Sequence, residues 1–276
     1  MRPSSRGGVT GPAEEDRVPS RFRVGWATDV GQVRSRNEDA MLAMEIGQQG
    51  GVGLPPLGLF VLADGMGGHR AGDVASALAI RAVAQYVLEQ VYLPTLSGEE
   101  QGASLPALQE ILVEAVRLAN AAVTSAVPGA GTTLTCALLV ASQAYIAHVG
   151  DSRAYLVRGD RLEQITRDHS LVDRLVELGE LTEGEAAHDP RRNVLYRAIG
   201  QDGQLEVDTY LQHIPPGGRL LLCSDGLWGA VEKEEIARLI ASAPSLQAAC
   251  EAMVRAANDA GGRDNITVML IEPPEG

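Results

Sequence analysis

The 276-residue chain has a single lysine, Lys233, inside the charged run Val231-Glu232-Lys233-Glu234-Glu235. No glycine-rich loop ends in Lys-Ser or Lys-Thr, so the lysine that a P-loop nucleotide hydrolase or a protein kinase places on phosphates is missing. A Schiff-base enzyme needs a desolvated lysine, and Lys233 does not offer one. Cysteine is scarce too. Cys136, Cys223 and Cys250 are odd in number, far apart and without a CxxC pair, which excludes a disulfide scaffold and a zinc cluster. No apolar run approaches the ~18 residues of a membrane span. The N-terminus lacks the apolar core of a signal peptide, so a cytoplasmic protein with no membrane attachment is expected. Basic residues number 23 against 36 acidic ones, a net charge of −13. That leaves no broad basic footprint for nucleic acid.

What is present reads as globular. Hydrophobic residues at 45% and charged residues at 21% exclude a disordered or fibrous chain. Residues 1–20 are rich in Pro, Gly, Ser and charge and are expected to form a disordered tail. Phe22–Ala27 is a short extended stretch, Gly47–Gly58 a hairpin loop, and Leu57–Ala63 a continuous apolar strand running into Asp64-Gly65. Val74, Leu78, Val83, Val87 and Leu88 recur at helical spacing within Ala71–Tyr92. A second helix is expected over Leu105–Val127. Thr132–Ile165 reads as a β-meander with turns at Ser142-Gln143 and Gly159-Asp160. His169–Gly200 is polar, with a short helix near Leu171–Leu178. Arg219–Ser224 is another apolar strand, followed by helices near Lys233–Ala241 and Leu246–Asp259 and a last strand over Ile266–Ile271. Two long helices in succession between strands indicate α+β rather than alternating α/β.

Three carboxylates share one setting. Asp64 and Asp225 each end an apolar strand and precede a glycine, and Asp264 leads into Ile266-Thr267-Val268. The plain reading of Asp-Gly is a turn. The chemical reading is convergence: strands of one sheet would gather carboxylates that repel unless a cation joins them. Oxygen-only sites of this kind suit Mg²⁺ or Mn²⁺, and two such ions activate water for in-line attack on phosphorus. Asn37-Glu38-Asp39 adds an acidic pair after Arg34 and Arg36, and Arg supplies a fork for phosphate oxygens.

The series Arg34–Asp39, Ala63-Asp64-Gly65-Met66-Gly67-Gly68-His69, Gly131-Thr132-Thr133-Leu134, Gly150-Asp151-Ser152-Arg153, Asp168-His169-Ser170-Leu171-Val172, Cys223-Ser224-Asp225-Gly226-Leu227 and Asp264-Asn265-Ile266-Thr267 resembles the metal-dependent protein serine/threonine phosphatases, the protein phosphatase 2C family, in its bacterial form. The resemblance runs in the family's order from Arg21 to Ile271. It implies a four-layer αββα sandwich, two antiparallel β-sheets flanked by helix pairs, in one catalytic domain over residues 21–273 with a flap over 168–200. It implies two core Mn²⁺ or Mg²⁺ ions and a weaker third. Asp64 would bridge the two, with the Gly65 carbonyl beside it, and Asp225 and Asp264 would complete one shell. Glu38 would serve the second ion, Asp39 would orient waters of the first, and Asp151 would serve the third together with Asp225. Arg34 would hold the phosphate. The implied reaction is direct hydrolysis of phosphoserine and phosphothreonine by a hydroxide bridging the ions. The implied partners are phosphoproteins and Ser/Thr protein kinases, and a monomer is expected. Animal members carry a histidine where this chain has Met66, so the leaving oxygen's proton is assigned to a metal-bound water, with His69 second. Asp73 reads as a helix N-terminal charge, His148 as a core residue, His169 as the start of the flap, His188 and His213 as surface residues, and Trp26 and Trp228 as packing residues. The alternative is a catalytically inactive phosphoprotein-binding module of the same fold.

Overall fold

The computed structural model describes residues 21–46, 55–67, 71–97, 108–186 and 189–274. The expected tail over 1–20, most of the Gly47–Gly58 loop, His69 and His188 lie outside the described residues. The strands are β1 (Arg23–Asp29), β2 (Asp39–Ile46), β3 (Leu57–Met66), β4 (Gly131–Thr132), β5 (Leu134–Val140), β6 (Gln143–Val149), β7 (Arg153–Arg158), β8 (Arg161–Gln164), β9 (Asp208–His213), β10 (Arg219–Cys223) and β11 (Ile266–Glu272). The helices are α1 (Gly72–Val87), α2 (Leu93–Ser97), α3 (Leu108–Ala126), α4 (Leu171–Glu177), α5 (Glu183–Ala186), α6 (Asp225–Trp228), α7 (Lys233–Ser242) and α8 (Leu246–Asp259).

The strands form two antiparallel sheets. One has the order β1-β11-β10-β7-β8; the other has the order β2-β3-β5-β6-β9, with β4 paired to β3. A strand buried on both faces has no polar side, which is why β3, β5, β10 and β11 read as unbroken apolar runs. Their alternate residues point into different cores. Leu59, Val61 and Ala63 of β3 pack with Val83, Leu112 and Val116 of α1 and α3. Phe60 and Leu62 point the other way and meet Leu220, Leu222, Met269 and Ile271 of the opposite sheet. Leu221, Cys223, Val268 and Leu270 pack with Ile236, Ile240 and Met253 of α7 and α8. Three cores between four layers make the expected αββα sandwich.

Several expectations are corrected. The apparent meander is split: β5 and β6 lie in one sheet, β7 and β8 in the other. The chain changes sheets at Gly150, whose φ of +113° disfavours a side chain and whose Cβ would press on the Thr133 side chain at 2.6 Å. Strand β3 does not stop before Asp64 but runs through Asp64-Gly65-Met66, where β4 pairs with it. Asp225-Gly226 opens the short helix α6 instead of forming a turn. Strands β2 and β9 were not anticipated. The apolar face of α1 is rotated: Ala75, Ala79, Ile80, Val83 and Val87 are buried, whereas Val74 is 45% exposed. Trp26 lies on the edge strand β1 and is 48% exposed, so it is only half packed. The three cysteines are free and buried, and burial pushes each thiol up to about 12, so none is a nucleophile. Among the described residues no helix is long and apolar enough to cross a membrane.

The rotated face gives a stability test. Ile80→Ala should cost about 2–5 kcal/mol, and Val74→Ala less than about 0.5 kcal/mol. Urea unfolding of both variants checks the assignment.

Candidate active site

The site lies where one end of the two sheets meets. Arg34, Glu38, Asp64, Gly65, Asp151, Asp225 and Asp264 line a single cavity of ≈ 340 Å³. Among the residues expected to form the site, only Asp39 is not part of that lining. It sits behind it, directly opposite Asp64 in the β2–β3 ladder. Like charges facing each other across a ladder destabilise it, so this register has to be held by other contacts.

Hydroxyls and close backbone packing supply them. The Ser224 hydroxyl donates to Asp39 Oδ2 at 2.9 Å and accepts from the Thr267 amide at 2.9 Å, which ties Asp39 to the second sheet. Thr133 Oγ1 accepts from the Asp64 amide at 2.9 Å, and the Asp64 carbonyl accepts from the Thr132 hydroxyl at 2.9 Å. The Gly65 amide donates to the Glu38 carbonyl at 3.1 Å. A Cβ at Gly65 would stand 2.2 Å from the Gly72 carbonyl oxygen, so glycine is required for helix α1 to approach β3 here. The Trp228 indole donates to the Asp151 carbonyl at 3.0 Å, linking α6 to the turn that carries Asp151.

The electrostatics follow from that crowding. Burial, then the carboxylates of Asp264 and Asp39, push Asp225 up to about 7. Burial raises Asp39 to about 6, with Asp264 adding to it and the Thr267 and Ser224 hydroxyls opposing it. Asp64 rises well above the ordinary carboxylate range from burial and then from Asp39, Asp225, Asp151 and Asp264. Asp151 rises likewise from burial and then from Asp225. Burial also raises Glu38, with Asp73 adding and Arg34 opposing. At the lip, Arg34 Nη2 donates to Asp264 Oδ2 at 2.6 Å, and the guanidinium is held above its ordinary value by that bond.

These residues fit hard divalent cations. Asp39 Oδ1 and Asp225 Oδ1 are shielded from solvent and have no hydrogen-bond partner among the described residues. A buried carboxylate oxygen without a partner is costly, and an oxygen-only donor set matches Mg²⁺ or Mn²⁺. Among the described residues no group of three His, Cys, Asp or Glu side chains is already closed around one ion position. The carboxylates frame a cavity rather than a finished cage.

A sequence model of the protein phosphatase 2C family matches residues 26–176. A serine/threonine phosphatase, stp, of Listeria innocua is 41% identical over 248 residues, covering 89% of this chain and 93% of that protein. The chain belongs to the protein phosphatase 2C family. Among solved structures, the Mycobacterium tuberculosis serine/threonine phosphatase PstP/Ppp is similar with a TM-score of 0.75 and 34% identity, over 92% of this chain and 99% of that one. The catalytic domain of PstP in complex with two manganese ions is similar with a TM-score of 0.72 and 33% identity, over 91% and 97% of the two chains.

Residues outside the expected ligand set also line the cavity. Met66 and Thr133 come from β3 and the segment before β5, and Asn193 and Leu195 come from the expected flap. The flap is fastened to the turn bearing Asp151 through His169. The Gly150 amide donates to His169 Nδ1 at 3.0 Å, and the His169 amide donates to the Gly150 carbonyl at 2.8 Å. The Leu171 amide then donates to the Val194 carbonyl at 2.7 Å. No sequence signal distinguished Asn193 and Leu195 from the rest of the flap, because neither is acidic nor part of a turn dipeptide.

Removing one carboxylate should relieve the repulsion. Asp225 is raised from 3.8 to about 7, so in the metal-free protein it lowers stability above pH 7, and that cost fades as pH falls towards 4. Asp225→Asn should therefore raise the Tm of the EDTA-treated protein at pH 8 and leave it nearly unchanged at pH 4. Thermal melts across that range, with Mn²⁺ stabilising the parent protein and not the variant, check both points.

Proposed function

We propose that this chain hydrolyses phosphoserine and phosphothreonine in proteins and counteracts Ser/Thr protein kinases. The observation that carries this reading is the cavity itself: converging carboxylates, an arginine at the lip, and buried unpartnered oxygens on Asp225 in the lining and on Asp39 behind it. The relatives' names point to the same substrate class. Residues 21–273 are the proposed catalytic unit.

In this reading Asp64 would serve both core ions, and the Gly65 carbonyl would offer a further oxygen. Asp225 and Asp264 would hold one ion, Glu38 would serve the other, and Asp39 would orient water. Asp151 and Asp225 would hold a weaker third. Manganese and magnesium both suit the donors. Bound there, the ions neutralise the carboxylates and lower the pKa of the water that attacks phosphorus. Arg34 spends one nitrogen on Asp264 and keeps its remaining donors for the phosphate oxygens. Its position at the lip puts positive charge where the phosphoester enters. Met66 lines the cavity and has no proton to give, so water supplies the proton for the departing serine or threonine oxygen. The Asp39–Ser224 bond ties that carboxylate to the second sheet, behind the cavity lining. The binding-module alternative has no observation in its favour, since every expected carboxylate is retained.

Mn²⁺-loaded protein should release phosphate from a phosphothreonine peptide, and EDTA or Asp225→Ala should abolish release. Arg34→Ala should lower kcat/KM by about 10²-fold. A phosphate-release assay on the three samples and the parent checks this; an inactive parent protein that binds Mn²⁺ would contradict it.

A further inference from the structure

Asn265 follows Asp264 and immediately precedes strand β11. It is 5% exposed, and its side chain bonds to neither a carboxylate nor a hydroxyl. All of its amide's bonds go to the backbone of one other segment. Nδ2 donates to the Val30 carbonyl at 2.9 Å and to the Arg36 carbonyl at 2.8 Å. Oδ1 accepts from the Glu38 amide at 2.8 Å. One nitrogen thus closes both ends of the loop from Val30 to Arg36, with Arg34 inside it, while the oxygen of the same amide fixes the next functional residue, Glu38.

The surroundings reinforce the clamp. The Gln32 amide donates to the Gly262 carbonyl at 2.7 Å. Gly31 has a φ of +80°, and a Cβ there would stand 2.3 Å from the Asp264 carbonyl oxygen. The loop is therefore pressed onto the 262–265 segment, and it makes few other contacts: Val33 is 69% exposed and Arg34 about half exposed. Arg34 and Asp264 meet at 2.6 Å only because both are referred to the same short stretch of backbone. An amide is the side chain this task requires. Asp lacks the two donors, and an aliphatic residue would strand two carbonyls and an amide in the interior.

We propose that Asn265 is a positioning residue for the reaction: its amide sets the Arg34 loop and Glu38 in register with Asp264, so that the phosphate contact and the second carboxylate set act on one point. This rests on the roles given to Arg34 and Glu38 above, and it assigns their alignment to a residue that touches neither substrate nor ion.

The test compares Asn265→Ala, Asn265→Asp and, as a control at an exposed position of the same loop, Val33→Ala. With Mn²⁺ and a phosphothreonine peptide, Asn265→Ala should lose about 10- to 100-fold in kcat/KM and bind Mn²⁺ more weakly by calorimetry. Asn265→Asp keeps the acceptor for the Glu38 amide and loses both donations, so it should fall in between. Val33→Ala should stay near the parent. Hydrogen exchange should quicken over residues 30–38 in both Asn265 variants and stay slow in β10. Combined with Arg34→Ala, the Asn265→Ala loss should be less than multiplicative, because both act through the same group. The proposal is overturned if folded Asn265 variants keep parental kcat/KM, if exchange over 30–38 is unchanged, or if the losses multiply in full. Should Asn265→Ala fail to fold, Asn265→Asp decides by the same readouts. A parent protein that releases no phosphate would instead overturn the proposed function, while the exchange data would still decide the clamp.

Discussion

Negative charges that repel one another are held within one cavity, and most of the local architecture exists to keep them there. Asp39 faces Asp64 across the β2–β3 ladder, and Asp225 and Asp264 approach from the other sheet. Left to relax in water, such groups would separate or bind protons, and Asp39 and Asp225 are accordingly raised to about 6 and about 7. A stiff support is needed to oppose that. The four layers supply it: β3 and β11 are buried on both faces, so neither can shift without breaking two cores at once.

The polar contacts around the cavity join segments distant in sequence. Ser224 connects Asp39 to β11. Trp228 holds the Asp151 carbonyl, and its ring lies 3.6 Å from the Arg153 guanidinium, which in turn grips Asp168 through three hydrogen bonds of 2.8–3.1 Å. Arg153 and Asp168 thereby tie β7 to the base of the flap. His148, fully buried, accepts from Thr135 and directs Nε2 at the Gly150 and Arg167 carbonyls. Burial lowers it to about 3, so it stays neutral and acts as a fixed donor. The His169 ring lies 5.0 Å from it, tilted by 41°, and carries the flap. This chain of contacts brings Asn193 and Leu195 to the cavity that the acidic residues frame.

What the sequence disclosed follows from how strongly each element is buried. Strands such as β3, β5, β10 and β11 announce themselves as apolar runs because both of their faces are covered. Strand β9 does not: Asp208-Thr209-Tyr210-Leu211-Gln212-His213 lies at a sheet edge, and its exposed face carries Leu211 at 57%. Periodicity misplaced the face of α1 because small residues, Ala75 and Ala79, fill the tight contact with β3 while Val74 points outward. The sheet change at Gly150 left only a Gly-Asp pair, indistinguishable from a hairpin turn. The charged site residues were legible through the motifs. Asn265 and Ser224 stand in the same motifs without an expected role, because an amide or a hydroxyl acquires one only when distant backbone or a distant carboxylate is brought to it.

A carboxylate cluster this crowded is costly without cations and is relaxed by them. The direct measurement is a carbon-13 NMR titration of the Asp39 and Asp225 carboxyls, with and without diamagnetic Mg²⁺. Without metal, both should titrate well above 3.8, near 6 and 7. With saturating Mg²⁺, both should stay ionised below their ordinary range. Carboxyls that titrate normally without metal, or that ignore Mg²⁺, would contradict the account.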